Sequence, residues 1–221
     1  MGHVVLLGDS TFDNASHLGH GEPDVVAQLR ARLPAAAGWR ATLRAVDGAV
    51  TDEVGLQLDR LPPDASHLVV SVGGNDALGH AEVLGEEVRT VAEALARIAG
   101  IGARFRRRYR AMLGAVLARG LPTAVCTIYD ARLPDPRQRA LAAAALTAFN
   151  DVITREAFAR GLPLIDLRLV CDRDEDYANP IEPSARGGEK IAAAIADLLA
   201  RHDFARRRSE VFGGEGGDGR G

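Results

Sequence analysis

Residues 3–10 read His3-Val4-Val5-Leu6-Leu7-Gly8-Asp9-Ser10. The run is apolar without alternation and then breaks into turn-forming residues. An unbroken apolar run of this length is what a parallel strand covered on both faces requires. The same pattern recurs down the chain. Residues 41–46 end at Asp47-Gly48, residues 67–72 end at Gly73-Gly74-Asn75-Asp76, and further apolar runs occupy 123–129 and 162–167.

Helical periodicity fills the intervals. Asp24 opens a helix with Val25, Val26, Leu29 and Leu33 on one face, and Pro34 stops it. A short helix is expected over 52–58. Leu84, Val88, Val91, Leu95 and Ile98 recur at spacings of four, three, four and three, which predicts a long helix with one apolar stripe. Gly100 and Gly102 are expected to break that helix. A separate helix then carries Phe105, Tyr109, Met112 and Val116 and ends at Gly120. Beyond Pro134 and Pro136, Leu141, Ala145, Phe149 and Ile153 point inward. The last helix, about 183–202, has Ile191, Ile195, Leu198 and Leu199 as its stripe. Five strands alternating with helices predict an α/β fold, a three-layer αβα sandwich around a five-stranded parallel, flavodoxin-like doubly wound sheet. Ligands in such sheets bind beyond the carboxyl ends of the strands. A single domain is expected over 1–205, followed by a flexible Arg/Gly-rich tail over 206–221.

Composition excludes several classes. The 221 residues carry 27 basic and 30 acidic side chains, a net charge of −3. No basic field exists to hold nucleic acid. No run of 18 apolar residues occurs, so no membrane span is expected. Cys126 and Cys171 make neither a disulfide framework nor a CxxC zinc knuckle and are read as small core residues. With no secretory leader pattern, a cytoplasmic location is expected. The chain lacks GxGxxG after its first strand and lacks GxxxxGK[ST], so no nucleotide or flavin cofactor is expected.

The unusual residues gather at strand ends. Gly8-Asp9-Ser10 follows the first strand, Asp47-Gly48 the second and Gly73-Gly74-Asn75-Asp76 the third. Asn179-Pro180-Ile181-Glu182-Pro183-Ser184 follows the fifth. The fold would bring all four blocks to one edge of the sheet.

These blocks, in this order, resemble the SGNH (GDSL-type) hydrolases, over nearly the whole chain from Val4 to about Leu199. The resemblance implies a serine nucleophile at Ser10. It implies an oxyanion hole from Gly48, Asn75 and the Ser10 amide, and hydrolysis of small-molecule esters or thioesters without a cofactor. The chemistry agrees. A serine attacking an acyl carbon needs uncharged donors where negative charge develops on the carbonyl oxygen, and an Asn amide is one.

One block departs from the family. Where its pattern has Asp-x-x-His-Pro, this chain reads Asn179-Pro180-Ile181-Glu182-Pro183. A Glu182 carboxylate is a weaker base near neutral pH than imidazole unless burial raises its pKa. Asn179 beside it would hydrogen bond without adding a like charge. Other bases are open to the chain: His17 and His20 in the loop after Ser10, and His80 in the loop after Asn75. The same departure also suits a catalytically silent module that binds a small acylated ligand without turnover.

Other residues have plainer readings. Ser10 and Asn75 also suit turns, Gly48 a tight bend, and Glu182 a solvated carboxylate near a helix N-terminus. Asp9 and Asp13, or His17-x-x-His20, could face a metal, but turn and loop roles suit them better. Arg104, Arg106, Arg107, Arg108 and Arg110 read as a solvated helix face. Loops after the first and third strands are small and polar, which favours a compact, water-soluble substrate.

Overall fold

A computed structural model describes residues 2–214. Six strands form one parallel sheet: β1 (Gly2–Gly8), β2 (Trp39–Leu43), β3 (His67–Ser71), β4 (Thr123–Cys126), β5 (Leu164–Ile165) and β8 (Val211–Phe212). Their order is β2-β1-β3-β4-β5-β8. The order reverses at β1/β3, the switch point at which doubly wound sheets open a crevice. A two-stranded antiparallel ribbon, β6 (Tyr177–Asn179) and β7 (Glu182–Pro183), stands apart.

Helices cover both faces. On one lie α1 (Val25–Arg32) and α7 (Ala185–Arg201), and on the other α2 (Val54–Leu58), α4 (Val91–Leu117) and α5 (Pro136–Ala159). Two short helices, α3 (Gly74–Leu78) and α6 (Leu167–Val170), follow β3 and β5. Side chains of β1 alternate between the layers. Val4 and Leu6 join Val25, Leu29, Ile191 and Ile195, whereas Val5 and Leu7 join Phe105, Leu113 and Ile153. Strand periodicity of two divides the apolar run between two cores. Caps set the helix starts. Asp24 accepts from Ala27 N at 2.7 Å, and Asp135, just before Pro136, accepts from Arg137 N at 2.9 Å.

Three expectations need correction. The sheet has a sixth strand, because Val211–Phe212 pairs parallel to Leu164–Ile165 and Phe212 is buried. A two-residue strand is too short to show periodicity, so the expected tail over 206–221 hid it. Residues 215–221 of that tail lie outside the described residues. Next, α4 runs unbroken through Gly100 and Gly102. A Cβ at Gly102 would lie 3.6 Å from the Ala148 Cβ of α5, so this glycine sits at a helix–helix contact and does not end a helix. Finally, one helix does not carry the whole stripe, because Leu84 and Val88 precede α4, whose N-cap is Thr90, and its first members on α4 stand exposed. Val91 is 76% exposed and Leu95 63%.

The arginine cluster is not simply solvated. Arg106 and Arg110 of α4, with Arg160, converge on the buried Glu156 carboxylate of α5, with Nε–O distances of 3.1 Å for Arg106 and 3.5 Å for Arg110. These contacts hold that carboxyl below its ordinary pKa against burial, which pushes the other way.

Candidate active site

The chain leaves β1 through a turn that only glycine fits. Gly8 has φ +128°, and a Cβ there would lie 1.7 Å from the Ser71 carbonyl oxygen of β3. Gln57 of α2 clamps the same residue. Its Oε1 accepts from Gly8 N and its Nε2 donates to Gly8 O, both at 2.8 Å. Asp9 and Ser10 follow, both buried.

Ser10 Oγ donates to Glu182 Oε1 at 3.1 Å across 172 residues of sequence. Glu182 lies on β7 and is only 7% exposed, so it is not a solvated helix-end carboxylate. Its second oxygen, Oε2, is buried without a hydrogen-bond partner among the described residues. Burial raises the Glu182 pKa, and the Ser10 hydrogen bond and nearby His17 act against that rise.

The ribbon carrying Glu182 is fixed from four directions. Asn179 Oδ1 accepts from the amides of Ile181 at 3.0 Å and Glu182 at 3.1 Å. Tyr129 Oη donates to Ile181 O at 2.7 Å, and Asn14 Nδ2 to Pro183 O at 3.2 Å. Ser184 caps α7 through Gly187 N, and its own amide donates to Asp176 O at 2.9 Å. Asp176, fully buried, accepts from Lys190 Nζ at 2.7 Å. Sequence reasoning missed Gln57, Asn14, Tyr129 and Asp176. Each is a common residue: the partners of Gln57, Asn14 and Tyr129 lie far along the chain, and Asp176 meets Lys190 at a separation of 14, which matches no local motif.

Ser10, Asn75 and Glu182 line one cavity of about 540 Å³. Asn75, on α3, donates from Nδ2 to Ala49 O at 3.0 Å, while neighbouring Asp76 accepts from Thr51 N and Oγ1, both at 2.9 Å. These bonds tie the loops after β2 and β3 together. Gly48 does not line this cavity. It is exposed in the turn after β2, with φ +80°, on the wall of a neighbouring hollow. Asn179 is exposed and meets Glu182 through the backbone amide, not through its carboxylate.

The histidines separate. His80 lines the cavity and His20 is exposed. His17 Nε2 donates to Asp47 Oδ2 at 3.1 Å. His17, Asp47 and Glu182 each offer a ligand atom within 4.8 Å of the others, the one such group among the described residues. A cation there would engage the same carboxylate that holds Ser10. Asp9 and Asp13 have local partners. Asp9 accepts from Thr11 N at 3.1 Å and Asp13 from Asp47 N at 2.9 Å. Burial lifts Asp9 to about 7, with Glu182 and Asp76 adding to the rise. Cys126 and Cys171 are buried free thiols, and burial pushes Cys171 up to about 12.

The cavity wall is more apolar than the polar loops suggest. Helices supply it: Ile98 and Ile101 from α4, and Leu141, Ala145 and Phe149 from α5. The segment after β3 adds apolar side chains of its own, Val83 and Leu84.

A hydrogen-bonded serine–carboxylate pair thus stands at the switch point of a parallel αβα sheet, with an Asn side chain lining the same cavity. Residues 6–190 match the model of the GDSL-like Lipase/Acylhydrolase family, and the chain belongs to that family. No curated protein matches significantly. Among solved structures, an extracellular lipase from Streptomyces rimosus is 20% identical, with a TM-score of 0.62 over 90% of this chain and 99% of that one. A phospholipase A1 from Streptomyces albidoflavus is 20% identical, with a TM-score of 0.63 over 90% and 98%. An acetyl xylan esterase is 16% identical, with a TM-score of 0.62 over 90% and 100%. At these identities the likeness establishes the fold. No helix among the described residues is long and apolar enough to cross a membrane.

Proposed function

We propose that this chain hydrolyses carboxylic or thioesters with Ser10 as nucleophile and Glu182 as general base, in the role that histidine has in the family pattern. The hydrogen bond from Ser10 Oγ to buried Glu182 carries the reading. Glu182 takes the Ser10 proton as Oγ attacks the acyl carbon. Negative charge on the carbonyl oxygen is met by the Ser10 amide and the Asn75 side chain. Gly48 acts indirectly, shaping the turn that brings the Ala49 carbonyl to Asn75. Protonated Glu182 then gives its proton to the departing alcohol or thiol. Water, deprotonated by the same carboxylate, attacks the acyl–Ser10 ester and releases the acid.

Burial supports a carboxylate in this role, because a raised pKa makes Glu182 a stronger base than an exposed one. Asn179 is a positioning residue that fixes the Glu182 backbone. The two free thiols support a reducing, cytoplasmic setting.

The test is labelling with a fluorophosphonate followed by peptide mapping. An adduct on Ser10 that is lost in Glu182→Gln supports the pair. An adduct that survives in Glu182→Gln moves the base to His17 or His80. No adduct on folded protein across a pH series leaves the non-catalytic binding module.

A further inference from the structure

The cavity that starts at Ser10 has a direction. Among the described residues that line it away from the Ser10 end, His80 is the only ionisable one, and none is a lysine or arginine. Ile98 and Ile101 of α4 and Leu141, Ala145 and Phe149 of α5 line it. Outside, the apolar character continues. Leu84, 42% exposed, lines the same cavity, and Leu95 and Val91 extend the Ile98 stripe at helical spacing. The other side of the site is polar. Beyond Glu182 lie His17 and Asp47.

We propose that the space between α4 and α5 is an acyl arm, which makes the substrate an ester of an extended apolar acid rather than an acetyl ester. This deepens the proposed Ser10–Glu182 reaction and rests on it. The orientation follows from the proton path. Glu182 has to protonate the leaving oxygen, so the alcohol belongs on the Glu182 side, beside polar His17 and Asp47. The acyl carbon chain is then left with the apolar wall. With no lysine or arginine lining the arm, an anionic head group has no partner there, whereas an alkyl chain loses only water.

The experiment compares p-nitrophenyl acetate, butyrate and octanoate on the wild-type chain and on Ala145→Phe, which fills the arm from α5. Each methylene placed in the arm raises kcat/KM by up to about fourfold. The octanoate-to-acetate ratio is therefore expected to exceed about a hundredfold, and to fall at least about tenfold in Ala145→Phe. Because each ratio is taken within one protein, loss of folded fraction cancels. If Ala145→Phe does not fold, the wild-type ratio and the relative labelling rates of ethyl and octyl fluorophosphonates decide alone. A flat or acetate-favouring series overturns the arm while leaving Ser10 chemistry standing. A steep series unchanged in folded Ala145→Phe also overturns it, by placing the chain elsewhere. No turnover of any ester, with no adduct on Ser10, removes the arm together with the reaction beneath it.

Discussion

Asn179 Oδ1 accepts hydrogen bonds from Glu182 N at 3.1 Å and Ile181 N at 3.0 Å, so it holds Glu182, the proposed base, by its main chain. An acceptor oxygen is all this requires, and charge on it is secondary. Asn179→Asp is therefore expected to retain most of kcat. Asn179→Ala, which leaves two amides without their acceptor, should lower kcat about tenfold or more with KM little changed. Steady-state kinetics on the pair of variants checks this, and equal losses in both would show that charge matters instead.

Ser10→Ala should remove turnover, a drop of at least about a thousandfold, because no other hydroxyl among the described residues donates to Glu182. A circular dichroism melt should show the variant folded.

Glu182→Gln keeps the shape and an acceptor for Ser10 while removing the base. A loss of about 10²- to 10⁴-fold in kcat/KM is expected. The wild-type pH profile supplies the sign. The working form is the carboxylate, so the rate should rise with pH through a midpoint above the ordinary glutamate value, following the upward shift that burial causes. In Glu182→Gln that limb should vanish. A wild-type midpoint at or below the ordinary value would contradict the burial argument.

Gln57→Ala would orphan Gly8 N in a buried turn and take one of two donors from Gly8 O, which Val46 N still reaches at 3.1 Å. A stability loss of about 1–3 kcal/mol is expected, read from the urea midpoint. The nucleophile turn sits on this clamp, so activity should fall with stability.

Asp9 makes stability depend on pH. Its folded pKa, about 7, is above its unfolded value, so the folded chain binds the extra proton between those two values. Stability should therefore fall as pH rises from about 4 to about 7, by up to about 4 kcal/mol from this group. Asp9→Asn keeps the acceptor for Thr11 N and removes the titration. Its melting temperature should be the flatter function of pH, and an unchanged slope would assign the effect elsewhere.

Most of the sheet was legible from local pattern. The apolar runs at 3–7, 41–46 and 67–72 overlap β1, β2 and β3, and Ser10 and Asn75 are where strand-end logic places them. Strand–helix alternation is local, and right-handed crossover then fixes where strand ends gather. Glu182 was legible as well, since the Asn-Pro-Ile-Glu-Pro frame precedes a capped helix.

Tertiary structure alone decided the rest. Whether Glu182 is solvated or buried depends on Tyr129 and Asn14, which fix its ribbon from distant positions, and on buried Asp176, whose carbonyl holds Ser184. Gly48 left the cavity because a positive φ serves a turn as readily as a ligand site. The stripe from Leu84 to Ile98 has helical spacing, but spacing cannot say whether a second layer covers the face. Here none of the described residues covers Val91 and Leu95, and Ile98 borders the cavity instead. Periodicity records which face of an element is apolar. What that face meets is set by packing among elements far apart in sequence.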